Sequence, residues 1–228
     1  MSTPGRRAVA VAVNAPALCL LALLALLPAG CSIFGVAAQA LPEPDVPAQY
    51  AGLRGHTIAV MVWADQGVMI DFPSLRLDVA TGVQSKLRQA KNGKRGELRD
   101  AKFPYVPASV VRFQEDHPET QQQPVTEVAP RLQVERLIYV EVESLQTRAN
   151  DAVDLFRGEA TASIKVIEVD PATGQARTAY EESGIAAVFP PKAPPEGLPV
   201  GGDAQMYRGT IDLLTGEIAT RFFAHPPK

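Results

Sequence analysis

From His56 to Trp63 the chain reads His-Thr-Ile-Ala-Val-Met-Val-Trp, apolar at almost every position. A strand with one wet face alternates, whereas a strand covered on both faces does not, so this run predicts a first, doubly covered strand. The period then lengthens. Leu75, Val79, Val83 and Leu87 recur every fourth place and predict one buried stripe on a helix over Asp71–Lys91, with Pro73 in its first turn. Ser109–Phe113 predicts a short second strand, polar Glu115–Pro124 a loop, and Val125–Leu132 a short helix disturbed by Pro130. Alternation returns in Leu137–Gln146, where Ile138, Val140 and Val142 point one way and Tyr139, Glu141 and Glu143 the other. In Leu155–Val169, Arg157, Glu159, Thr161, Ser163 and Lys165 share one face and Phe156, Ala160, Ala162, Ile164 and Val166 the other. Asp170-Pro-Ala-Thr-Gly174 is a turn signal that joins this strand to an antiparallel partner, Ala176–Phe189. Pro190–Gly202 reads as a loop. Asp203 is placed to cap a last helix, Ala204–Ala224, whose stripe is Tyr207, Ile211, Leu214, Ile218 and Phe222, with Gly216 weakening it modestly. The order β-α-β-α-β-β-β-α predicts an α/β (α+β) fold: a mixed sheet of about five strands flanked by helices, parallel in its first half and antiparallel in its second.

Ahead of this body lies a different pattern. Arg6 and Arg7 are the only charges before residue 31, Ala17–Leu27 is almost pure Leu and Ala, and Ala29 and Gly30 are small. A positive leader, an apolar core and small residues before a cut describe a signal peptide. With Cys31 next, the stretch Leu27-Pro-Ala-Gly-Cys31 resembles the bacterial lipobox, although Leu27 stands one place early and Pro28 fills its usual position. The resemblance implies cleavage after Gly30 and acylation (palmitate or a similar chain) of Cys31, which tethers the protein to a membrane. The competing reading is an uncleaved span over Val9–Leu27, which Asn14 and Pro16 interrupt. The organisation expected is therefore a signal peptide over 1–30, a lipid-anchored Pro/Ala-rich linker over 31–54, and a single domain over 55–228. Ser32 is not the Asp that favours inner-membrane retention in well-studied Gram-negative bacteria, so the periplasmic face of the outer membrane is expected.

Charge and cysteines narrow the classes. The formal net charge is −3, and the leader carries two arginines and no acid, which leaves 20 basic against 25 acidic residues in the mature chain. Nothing in that balance points to nucleic acid. Cys19 leaves with the leader and Cys31 is acylated, so no disulfide is expected and the domain relies on its core. A basic run over Lys86–Arg99 includes Lys94 and Arg95 and reads either as a patch for an anionic partner or as an ordinary helix terminus facing water. His117 among Glu115, Asp116 and Glu119 is a weak metal candidate without a second His or a Cys, and no metal or cofactor is expected. Glu141 and Glu143 on one face admit acid–base chemistry, but cross-strand pairing with Arg157 or Lys165 is the favoured account. Gly-x-Ser-x-Gly, His-Glu-x-x-His and a phosphate loop are absent, and His56, His117 and His225 sit at segment boundaries away from a nucleophile, so an enzyme is not expected. The residues expected to meet a partner are Tyr139, Arg157 and Tyr180, with Lys94 and Arg95.

Three phrases carry a wider resemblance: the strand Ile58–Trp63; Ala129–Val140, a helix running into a strand; and Ser163–Asp170 with Thr173-Gly174, a strand ending in Asp and then Thr-Gly. In these the chain resembles the fold group of the curli-secretion channel lipoprotein, the N-terminal domain of the Tol-system propeller protein, and the penicillin-binding-protein activator lipoproteins. The resemblance implies a scaffold or activator with no catalytic residues. The chain lacks the paired apolar hairpins of a membrane pore and any propeller repeat. Three functions remain in view: an envelope interaction module with a protein partner, a subunit of a homo-oligomeric secretion or transport assembly, and an envelope hydrolase.

Overall fold

The computed structural model describes residues 44–91, 96–149 and 153–227. The leader, Cys31, Lys94 and Arg95 lie outside them. Among the described residues no helix is long and apolar enough to cross a membrane.

Strand β1 (Ile58–Ala64) is buried at every residue but Trp63, as its unbroken apolar run predicts. It is followed by a short helix α1 (Gln66–Asp71), started by Asp65, whose carboxylate accepts from the Gly67 N–H at 2.8 Å. The predicted Asp71–Lys91 helix is thus two helices. Asp71 closes the first, Phe72 is extended, Pro73 lies in the turn, and α2 spans Leu75–Lys91. The cause is local: a residue before proline is pushed out of the helical region, so the helix cannot run through Phe72. Leu75, Val79, Val83 and Leu87 are fully buried, as their spacing requires.

Ser109–Phe113 is not a strand. It lies inside helix α3 (Pro107–Asp116), which starts on Pro107 and buries Val110 and Gln114, four residues apart. Five residues are too few for periodicity to separate the two states. Val125–Leu132 is helical in two pieces: a single turn, α4 (Val125–Val128), then a 3₁₀ turn (Ala129–Leu132) containing Pro130, ended by Gln133 in the left-handed region at φ 51°.

Among the described residues four strands form one sheet in chain order, β1-β2-β3-β4, with β2 at Arg136–Arg148, β3 at Phe156–Val169 and β4 at Ala176–Phe189. β1 and β2 are parallel (Ile58 opposite Arg136, Ala64 opposite Val142), and the other pairs are antiparallel. The mixed sheet and its parallel-then-antiparallel order agree with the sequence. The β3–β4 turn forms as predicted, with the Gly174 N–H bonded to the Asp170 carbonyl at 2.8 Å and Gly174 at φ 71°. The final helix α5 (Asp203–Thr220) buries Ile211, Leu214 and Ile218, with Phe222 just beyond it. Asp203 does not cap α5. Its carboxylate reaches Thr147 Oγ1 at 2.7 Å and Arg148 at 2.7 and 3.0 Å, and the cap position falls to Gly202.

The main core lies between α2, α5 and one face of the sheet. α5 lies so close to β3 and β4 that small residues are required there. A Cβ on Gly158 would stand 1.9 Å from Thr210 Oγ1, and one on Gly209 would stand 2.5 Å from the Phe189 ring. A second core, of Ala59, Met61, Leu137, Ile167 and Val169, lies under α3, α4 and the 3₁₀ turn on the other face.

Candidate functional site

The densest polar cluster sits where the chain joins the sheet, at the start of β1 and β2 and the end of β3. The predicted linker ends earlier than expected, because the compact unit begins at Asp45 rather than at residue 55. Val46 pairs with His225 through two backbone bonds of 2.8 and 3.1 Å, the N–H groups of Gln49 and Tyr50 both donate to the Arg221 carbonyl, and Leu53 is fully buried. Apolar burial of Leu53 and Tyr50 holds this proline-containing segment to the body, where composition alone favours an extended linker.

Side chains then close around it. The Tyr50 hydroxyl donates to Glu168 Oε1 at 2.8 Å, and its ring lies 6.0 Å from that of Tyr180 and 6.3 Å, edge-on, from that of Phe222. Arg136 donates from Nε to the Gly52 carbonyl at 3.0 Å and lies 3.7 Å from Glu168, and Arg177 also pairs with Glu168. Arg136 Nη2 is 3.1 Å from His56 Nε2, and His56 Nδ1 is 3.2 Å from Glu135 Oε1. A guanidinium only donates, so His56 Nε2 is the acceptor at this contact. The other Glu135 oxygen takes the Thr57 N–H at 2.8 Å and the Thr57 hydroxyl at 3.1 Å. Alongside, the Tyr180 hydroxyl lies 2.5 Å from both Gln49 Oε1 and Glu182 Oε2, and Arg221 grips Glu182 with two bonds of 3.0 Å.

The electrostatics follow from this pairing. Burial raises the Glu168 carboxyl, but the Tyr50 hydrogen bond and the charges of Arg136 and Arg177 outweigh it, and its pKa falls below the ordinary range. Glu182 behaves likewise, with Arg221 and Tyr180 overcoming burial. Glu135 is lowered chiefly by the Thr57 N–H. Burial, reinforced by Glu168, pushes Tyr50 up to about 12. The cluster is therefore a set of ionised carboxylates engaged by donors, an arrangement that fixes chain to chain. Sequence reasoning missed it. Tyr50 sits in a proline-containing stretch and Glu168 lies 118 residues away, so no local signal joined them.

The residues expected to form a partner surface are not gathered into one place. Tyr180 faces the α5 side, within the cluster just described. Tyr139 packs on the second core, opposite Lys165, and burial with help from Glu141 raises its hydroxyl to about 12. Arg157 sits eight residues along β3 from Lys165, 3.9 Å from Glu159 and donating to the Pro195 carbonyl. The expected pairing of Glu141 and Glu143 with Arg157 or Lys165 is replaced: Lys165 meets Glu181 on β4 at 3.1 Å, Glu141 stands opposite Ser163, and Glu143 falls in a bulge. Three described cations of the basic run have internal partners: Lys86 on Asp212 at 2.7 Å, Arg88 on the Phe103 carbonyl at 3.4 Å and Lys91 on the Ala101 carbonyl at 2.6 Å. His117 meets Glu119 at 3.4 Å and the Phe113 ring at 4.8 Å, and among the described residues no three metal-ligating side chains converge.

No protein-family model matches the chain, and no curated protein matches it by sequence. Solved structures do. The chain is similar to the PelC dodecamer from Paraburkholderia phytofirmans, at 10% identity and a TM-score of 0.41, over 81% of this chain and 96% of that one. It is similar to lipoprotein GNA1162 from Neisseria meningitidis, at 12% identity and 0.36, over 72% and 97%. It is also similar to a neuraminyllactose-binding hemagglutinin homolog from Helicobacter pylori, at 9% identity and 0.31, over 78% and 86%. These likenesses assign no role to any residue described above.

Proposed function

We propose that the chain is a lipid-anchored, non-catalytic module of the bacterial cell envelope, tethered through Cys31 on the periplasmic face of the outer membrane, which works by contact with an envelope protein. Its fold belongs with the curli-secretion, Tol N-terminal and activator lipoproteins named above. The observation that supports this reading is the disposal of the polar groups. Glu135, Glu168 and Glu182 are engaged by donors, and their bonds to Thr57, Tyr50 and Tyr180 tie residues 49–57 to the sheet. Replacing Cys31 by Ser tests the tether: cells fed a labelled fatty acid should acylate the parent chain and not the variant. Equal labelling of the two overturns the proposal.

One observation favours a second reading, self-assembly. Among the described residues β4 is a 14-residue edge strand, paired on one side only within the sheet. Sizing the detergent-extracted protein separates the two, since a discrete ring supports assembly and a monomer supports the contact module.

A further inference from the structure

The carboxyl end of β1 opens into a pocket of about 530 Å³, bordered by Trp63, Asp65, Gln66, Met69, Arg76 and Gln121. That volume suits a small molecule, and the place suits one too, because the crevice beyond the carboxyl ends of parallel strands is where open α/β sheets seat ligands. Trp63 is the chain's single tryptophan and the one incompletely buried residue of β1. The cover on its face of the sheet stops beside it, at Met61 and Tyr139. Arg76 is drawn inward, with a side chain only 17% exposed, yet it is poorly satisfied. Its Nε is buried without an acceptor, and its Nη2 meets a single carboxylate, the 60% exposed Glu115, at 3.6 Å. Buried polar atoms left without partners are rare and call for one. An aromatic plate, a cation short of an acceptor and two primary amides therefore meet in one hollow whose rim is polar.

We propose that this pocket binds a carboxylated sugar, a pyranose acid whose C–H face lies on Trp63, whose carboxylate takes the Arg76 fork in place of Glu115, and whose hydroxyls meet Gln66 and Gln121. A simple anion leaves the indole unused, a neutral sugar leaves Arg76 unanswered, and an aromatic acid offers nothing to the amides. Asp65 also borders the pocket, but its Oδ1 accepts from the Gly67 N–H, and among the described residues the ion pair of Arg76 is with Glu115. The site is independent of the tether at Cys31 and of the cluster around Glu168.

Trp63 reports directly on its own occupancy. Titrating the full chain in detergent with glucuronate should give a saturable change in tryptophan fluorescence, at least tenfold tighter than with glucose, acetate or benzoate. Gln121→Ala, at an exposed position, and Arg76→Met should each weaken glucuronate, the latter about tenfold or more. Ligand-detected NMR with Trp63→Ala should show the same loss without using the fluorophore. Absence of saturation overturns the proposal. So does an acetate or benzoate response as tight as that of glucuronate, or full affinity in both Gln121→Ala and Arg76→Met when circular dichroism shows them folded.

Discussion

Toward α2 and α5 the sheet presents Ile58, Val60, Val62, Ile138, Val140, Val142, Ala160, Ala162, Ile164 and Val166, all buried. On its other face burial stops halfway. Ala59, Met61, Leu137, Ile167 and Val169 lie under α3 and α4, and from Tyr139 onward the same strands carry Lys165 opposite it, then Glu141 opposite the buried Ser163. The difference follows strand direction. The parallel pair β1–β2 needs a long helical connection, which covers its second face, while the antiparallel connections β2–β3–β4 need no helix, and that face stays partly exposed at Glu141 and Lys165. The polar half-face is thus a product of topology before it is a statement about function.

The comparison can be broken most sharply by truncation in the two cores. Leu214→Ala on the helix side should lower unfolding free energy by about 2–5 kcal/mol, and Leu137→Ala under α3 and α4 should fall in the same range. A denaturant series in which Leu137→Ala costs under about 1 kcal/mol shows that the second cover is not packed. Gly158→Ala comes next. Its Cβ meets Thr210 and the Met206 carbonyl, so overpacking should cost about 1–3 kcal/mol and loosen α5 from the sheet.

Acid then tests the ion pairs that tie the layers together. Glu168 and Glu182 have lowered pKa values, and Asp203 is held down to about 2 by Arg148 and Thr147. A carboxyl whose folded pKa is depressed stabilises above its unfolded value of about 4 and loses that contribution as pH falls through the folded value. The urea midpoint should therefore drop between about pH 4 and 2, and Glu168→Gln with Glu182→Gln should flatten that slope. Asp203 is half exposed, so screening limits its share to under about 1 kcal/mol. A midpoint that holds steady into acid removes the cluster as a clamp. The smallest effect belongs to the open half-face. Lys165→Met, which releases only the partly exposed Glu181, should stay within about 0.5 kcal/mol of the parent by thermal melting.

Sequence alone set the elements whose signal is local. The stripe Leu75–Val79–Val83–Leu87, the alternation of β2 and β3, the Asp170–Gly174 turn and the bounds of β4 all follow from a repeat or a turn residue within a few positions. Short-range signal failed where it was too brief, as at Ser109–Phe113, and where a proline cut across it, as at Phe72-Pro73. Facing was lost for another reason. Counting by twos put Tyr139, Arg157 and Tyr180 together, but register shifts at Val142/Ser144, Gln146/Arg148 and Val166/Ile167 break that count, and Tyr180 turns to the α5 side. Residues 45–54 looked like linker because the groups that hold them, Arg136, Glu168 and Arg221, lie far away in sequence. Tertiary structure alone decided those contacts, since a long loop closes only when burial and ion pairing at its ends outweigh the entropy of bringing them together, and no window of sequence contains both ends.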